Sequence, residues 1–222
     1  MKIGIIIAMD IEYRKLCEAL GGTAQGIIGG NEVVLWQCGI GKVNAAVGTL
    51  RLIQEHRPDV ILSTGLAGGI DNCLSVMDVV IGAQAAYHDV WCGMGNEYGQ
   101  VQGLPARFDA DARLLKVARE TGDGAHVKEG LLCTGDQFIT DREALAVIKS
   151  KFPDGLACEM ESAAIAHTCH LMGVPFMSIR VISDTPGNTD NHQMQWDEFL
   201  ASMSDRSFQF VRQFLGNLPN QL

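Results

Sequence analysis

Four acidic residues stand where apolar runs stop. Glu12 comes three positions after MKIGIIIAM, a run that stops at Asp10; Asp184 follows PFMSIRVIS, and Glu159 and Glu161 stand where an apolar stretch turns into a helical pattern. A carboxyl group directly after a buried strand is partly desolvated. Its pKa rises, which suits a general acid at neutral pH. In open α/β sheets, ligands bind beyond the carboxyl ends of the strands. Glu12, the run Leu66-Ala67-Gly68-Gly69, Phe138-Ile139 and Asp184 would therefore border one cleft. Each acid also has a plain structural reading: Asp184 capping a turn, Glu161 at a helix N-terminus, Glu12 on a solvated helix face. Spacing alone leaves both readings open.

Other chemistry is weaker. Gly39-Ile40-Gly41-Lys42 lacks the full spacing of a phosphate-binding P-loop. His167 and His170 lie three apart on an Ala-rich stretch, but no third ligand is near in sequence, so no metal is expected. Cys158 precedes the acid pair without a paired histidine and reads as core. The seven cysteines are odd in number, scattered and without a CxxC pair. They read as buried free thiols and point to the cytoplasm. Lys and Arg number 17 against 26 Asp and Glu, a formal charge of −9 with no basic cluster. That balance repels phosphate backbones and argues against nucleic acid as a partner. The apolar start is too short for a membrane span and lacks a cleavage pattern, so neither a membrane segment nor a targeting segment is expected.

The elements that must position these residues follow from periodicity. Residues 2–8, 59–65 and 175–183 read as buried strands, 78–87 and 127–134 as strands, and 25–38 as a hairpin around Gly29-Gly30-Asn31. Helices are predicted over 11–20, from Gly41-Lys42 to near Arg57-Pro58, and over 109–121, 141–151, 160–172 and 196–215. Residues 66–69, 88–108 and 185–195 read as loops. Apolar residues at 47% supply a sizeable core. Alternating strands and helices predict an α/β protein: one three-layer α/β/α domain over 1–222 with a central mixed sheet.

Taken in order, eight motifs become specific: MKIGIIIAMDIE, GIGKVNAA, STGLAGG, YHDV, EYGQ, TGDQFI, EMESAAIAH and RVISD. Together they resemble the 5′-methylthioadenosine/S-adenosylhomocysteine nucleosidase family, within the nucleoside phosphorylase superfamily, from residue 1 to about 215. The resemblance implies hydrolysis of the bond joining adenine to a 5′-thio-substituted ribose, with no cofactor. It implies that Glu12 activates water, that Asp184 protonates adenine N7, and that Arg180 helps hold the water and the acids. Glu161 would bind the ribose hydroxyls with Met160 against the sugar. Phe138 would stack on adenine and the Ile139 backbone would read its edge. Met9, Ala67, Gly68 and Trp196 would complete the substrate site. A homodimer is also implied. In it the segment 88–108 would reach the partner's site or close over its own, with Trp91, Met94, Leu104 and Phe108 supplying apolar contact.

The chain departs from that pattern at Leu66, where a serine is usual, and at Ile7, where glycine is usual. Both enlarge apolar side chains near the water site and would reshape the pocket. The alternatives are action on another purine nucleoside such as 5′-deoxyadenosine or aminodeoxyfutalosine, phosphorolysis, or nucleoside binding without turnover.

Overall fold

A computed structural model describes residues 1–122, 126–185, 196, 198, 199 and 208–221. Among the described residues nine strands form one mixed sheet: β1 (Lys2–Ile7), β2 (Gln25–Ile28), β3 (Asn31–Gln37), β4 (Val60–Gly69), β5 (Val79–Tyr87), β6 (Phe108–Asp109), β7 (Val127–Thr134), β8 (Gly155–Glu159) and β9 (Phe176–Asp184). The helices are α1 (Asp10–Ala19), α2 (Lys42–His56), α3 (Ala112–Thr121), α4 (Arg142–Lys151), α5 (Ser162–Met172) and α6 (Gln209–Asn217).

Strand alternation sends successive side chains to opposite faces, and β1 uses both. Ile5 and Ile7 join Leu62 and Leu66 in a core with Leu16, Leu114, Val211 and Phe214 from α1, α3 and α6. Ile6 faces the other way and packs with Ala45, Leu52, Ala163 and Ile165 from α2 and α5. These two apolar layers are the reason for the three-layer architecture.

The sheet is not simply open. β9 pairs parallel with β4 and antiparallel with β5; β5 pairs with β7, β7 with β8, and β8 returns to β4. Five strands thus close into a ring, which draws the ends of β4, β7, β8 and β9 together. Residues 66–69 are not a loop, as the glycines suggested. They continue β4 for its full ten residues, with a register shift against β9 between Ala67 and Gly68. Such a bulge re-aims the strand end.

Two short strands escape the periodic reading. β6 has two residues and β8 has five, and β8 runs directly into the turn before α5. Several helix starts also move. Asp111 caps α3, accepting from the Arg113 and Leu114 amides, so α3 begins at Ala112 rather than 109. α5 begins at Ser162 rather than 160, which leaves Met160 and Glu161 in the turn and free of helical spacing. The predicted loop 185–195 lies outside the described residues beyond Thr185, as does the middle of the predicted terminal helix.

Candidate active site

The first turn of α1 carries Glu12 inward from the end of β1. Its carboxylate is held from two sides: the Met9 amide donates to Oε2 at 3.1 Å and the Leu66 amide donates to Oε1 at 2.9 Å. Glu12 is only 2% exposed. Burial pushes its pKa up, and the Arg180 charge and the two amide bonds offset part of that rise. Backbone approaches this group closely. A Cβ on Gly65 would lie 2.8 Å from an Arg180 guanidinium nitrogen and 2.9 Å from Glu12 Oε1, so a side chain there would displace both.

β9 presents Arg180 and Asp184, four residues apart and both 2% exposed. Arg180 pairs with Glu159 at 2.7 Å and with Glu161 at 3.5 Å. It also donates to Ser63 Oγ and Ser162 Oγ, each at 3.0 Å. Burial opposes its charge, but Glu159, Glu161 and Glu12 outweigh that and raise its pKa. One cation thus faces three buried carboxylates. The surplus negative charge, in a site of low polarity, favours any ligand that becomes positive.

Asp184 is ordered by its neighbour. Ser183 Oγ lies 2.6 Å from Asp184 Oδ1 and 3.2 Å from the Ala67 carbonyl oxygen. A hydroxyl has one proton and two lone pairs. It can donate to an ionised Asp184, or donate to Ala67 and accept from a protonated one, so the pair tolerates either protonation state.

Glu159 and Glu161 do different work. Glu159 accepts the amides of Glu161 at 3.0 Å and Ser162 at 2.8 Å, plus the Thr134 hydroxyl, and so closes the first turn of α5. Glu161 points across to the turn before α2 and accepts the Gly41 amide at 3.0 Å. Burial, with Glu159 and Glu12 nearby, pushes the Glu161 pKa up to about 7 against the opposing effects of Arg180 and the Gly41 amide.

The four carboxyl groups, Arg180 and Ser183 border one cavity, whose empty space with its mouth is about 680 Å³. Glu12, Arg180 and Asp184 line it. So do Met9, Ala67, Gly68, Met160 and Glu161, together with Phe138, Ile139 and Trp196. These eleven residues therefore reach the same space, whereas Gly69, which the sequence set beside Gly68, does not line it. Phe138 is half exposed at the mouth, with the Trp196 ring edge-on at 5.7 Å, whereas Ile139 is buried. Sequence reasoning passed over Ile40, Gln137 and Ser183, which also line the cavity. Each sits beside a residue that was singled out, inside GIGK, TGDQFI or RVISD, so adjacency was the available signal.

Some expectations need correction. Leu66 lines the cavity, but Ile7 does not; it is fully buried in the apolar layer to which Leu66 also belongs. Any effect of Ile7 on the pocket acts through that packing. Phe108 is core, stacked on His167 at 5.1 Å, whereas Trp91 and Met94 are exposed. His167 Nδ1 lies 3.1 Å from the Tyr87 hydroxyl, so its ring is engaged in packing. Cys133, Cys158 and Cys169 are buried as expected, but Cys73 and Cys92 are exposed, and Cys158 also lines the cavity.

Comparison with known proteins finds relatives along nearly the whole chain. The family model described as "Phosphorylase superfamily" matches residues 2–216. A 5′-methylthioadenosine/S-adenosylhomocysteine nucleosidase of Chromohalobacter salexigens is 42% identical over 96% of this chain and 92% of its own length. The solved nucleosidase of the same description from S. pneumoniae, bound to a transition-state inhibitor, superposes with a TM-score of 0.91 at 36% identity, covering 99% of this chain and 100% of that one. A futalosine hydrolase mutant of Helicobacter pylori superposes with a TM-score of 0.88 at 27% identity, covering 98% of this chain and 100% of that one.

Proposed function

We propose, for a chain that belongs to the 5′-methylthioadenosine/S-adenosylhomocysteine nucleosidase family of the phosphorylase superfamily, that it is an N-glycosyl hydrolase. It releases adenine from 5′-methylthioadenosine and S-adenosylhomocysteine, leaving the thio-substituted ribose. The observation that carries this reading is the convergence of Glu12, Glu161 and Asp184 around Arg180 in one cavity.

Cleaving an N-glycosidic bond leaves positive charge on the sugar and negative charge on the base. Asp184 supplies a proton to adenine N7, so the base departs neutral. Phe138 and Trp196 cover the base at the mouth, and the Ile139 backbone reads its edge. Glu161 binds the ribose hydroxyls and stabilises the cationic sugar, with Met160 against the ring. Glu12 takes the proton of the attacking water. Arg180 fixes Glu161 and offsets part of the acid surplus. Ala67, Gly68 and Met9 shape the wall between sugar and water.

Water suits this site better than phosphate. Arg180 is already paired with Glu159, and three carboxylates face it, so an incoming dianion meets net repulsion. Leu66 adds no hydroxyl to the place where the nucleophile sits. Wild type and Leu66→Ser are therefore both expected to release adenine without phosphate. The test is free adenine from a panel holding 5′-methylthioadenosine, S-adenosylhomocysteine, 5′-deoxyadenosine and aminodeoxyfutalosine, each with and without phosphate. A phosphate requirement in wild type overturns hydrolysis. Release confined to aminodeoxyfutalosine supports the second reading, for which the futalosine hydrolase neighbour speaks.

The acid limb of the rate follows from the carboxylates. A carboxyl whose pKa stands near 7 protonates as pH falls through that value and loses the charge that steadies the cationic sugar. The raised Glu12 pKa acts in the same direction, since a protonated base cannot activate water. kcat/KM is expected to fall below about pH 7, approaching tenfold per unit. A profile flat from pH 8 to pH 5 would contradict these roles.

The whole chain is read as one working unit, and the free thiols as a sign of a cytoplasmic setting. A second copy of the chain is the proposed cover for Val43, Val47, Trp91 and Met94, which form large apolar exposure on α2 and the segment after β5. Light scattering that gives a dimer mass supports this, and a monomer mass removes it.

A further inference from the structure

Three chain segments meet at a cluster of charges whose members do not line the cavity. Asp89, just after β5, offers Oδ2 to two donors: Lys42 Nζ at 2.6 Å and the Asp136 amide at 3.0 Å. Asp136, just after β7, returns Oδ1 to the Lys42 amide at 2.8 Å. Lys42 Nζ also lies 3.8 Å from Asp136 Oδ2 and 5.6 Å from the centre of the Tyr87 ring. The Lys42 and Asp89 side chains are only 23% and 17% exposed. Burial opposes the charge of Asp89, but the bonds from Lys42 and Asp136 outweigh it and hold its carboxyl below the usual range.

Glycine makes the closeness possible. Gly41 has φ of 95°, a conformation side chains rarely adopt, and a Cβ there would lie 3.0 Å from Asp136 Oδ1. A Cβ on Gly135 would lie 2.4 Å from the His88 ring. The joined segments carry different parts of the cavity wall. On one side, Gly41 donates to Glu161 and Ile40 lines the cavity. On the other, Gln137, Phe138 and Ile139 follow Asp136 directly and line it too.

We infer that Lys42, Asp89 and Asp136 are positioning residues: their ion cluster sets the spacing between the sugar wall at Glu161 and the base wall at Phe138-Ile139. The roles of those two walls rest on the proposed nucleosidase reading; the mechanical coupling does not. Displacing a reacting group by about 1 Å can cost on the order of 10²-fold in rate. Breaking the cluster is therefore costly although none of its members reaches substrate.

The test uses Lys42→Met, Asp89→Asn and the double variant. Each single variant is expected to lose about 10-fold to 100-fold in kcat/KM for 5′-methylthioadenosine, and the double no more than the worse single, because members of one unit do not add. The pH profile separates positioning from mere loss of structure. Glu161 is faced by Arg180 from β9, Glu159 from β8, Glu12 from α1, Cys38 after β3 and the Gly41 amide. Only the amide belongs to the joined segment, and its bond lowers the Glu161 pKa. Loosening it is expected to move the acid limb of kcat/KM to higher pH in both single variants. Amide hydrogen exchange gives a readout independent of turnover: residues 39–42 and 134–139 are expected to lose protection together in Asp89→Asn, whose substituted residue lies in neither segment, and the loss is expected to extend beyond the Asp136 amide that Asp89 itself accepts. Wild-type kcat/KM and an unmoved acid limb in the variants would overturn the inference, as would unchanged exchange in those segments. If wild type itself releases no adenine, the nucleosidase reading falls, and the exchange result still decides the coupling.

Discussion

Asp184→Asn is expected to lower adenine release by about 10²-fold to 10⁴-fold while nucleoside binding stays close to wild type, the range a positioned general acid contributes. The reason lies in what the amide keeps and what it loses. Asparagine fills the same space and can still hydrogen-bond to N7 and to Ser183, whose hydroxyl lies 2.6 Å from the native carboxyl. It has no proton to transfer, so adenine must leave as an anion. The effect belongs in kcat and not in the dissociation constant, since the proton moves only as the bond breaks. Single-turnover rates together with calorimetric titration of substrate separate the two. A variant that keeps most of its kcat would remove Asp184 from the acid role.

Glu12→Gln is expected to stop turnover on a similar scale, with a second signature. The native carboxylate accepts two backbone amides, from Met9 and Leu66, one on each oxygen. An amide side chain has one acceptor oxygen, so its NH2 group must face one of those N–H donors. Leaving a buried donor unpaired costs about 1–3 kcal/mol. A lower melting temperature should therefore accompany the lost rate, in contrast to Asp184→Asn. The rate loss is expected to persist well below the melting transition, because a neutral amide cannot accept the proton of water. Recovery of wild-type kcat at low temperature would show that Glu12 serves only to start α1.

What the sequence made legible, and what it hid, follows from range. The long strands were readable because both faces are buried, so β1 and β9 appear as mainly apolar runs with an acid at or soon after the end. Glu12, Asp184 and Arg180 could be placed from those runs and from motif order. The end of β4 was hidden because its glycines look like a loop, although they are strand residues of the ring between β8 and β9. β8 was hidden because five residues carry too little periodicity to stand apart from the turn that follows. That turn frees Met160 and Glu161 from helical geometry, so Glu161 can reach Gly41, 120 positions earlier. Pairings of that range, like those of Asp89 with Lys42 and Asp136, depend on which strand ends the sheet brings together and leave no local pattern.

Leu66 illustrates the same point at one residue. Its side chain departs from the pattern the other motifs follow, yet its amide still holds Glu12. Backbone function survives a side-chain change, so the lost hydroxyl alone does not argue against catalysis.

The central claim is that water, activated at Glu12, attacks the sugar as adenine leaves protonated by Asp184. Running wild-type protein with 5′-methylthioadenosine in oxygen-18 water, without phosphate, and weighing the products by mass spectrometry tests it most directly. The account predicts one heavy oxygen in the released thioribose and none in adenine, in equimolar amounts. A sugar phosphate formed only when phosphate is added, or no adenine from the substrate at all, would contradict it.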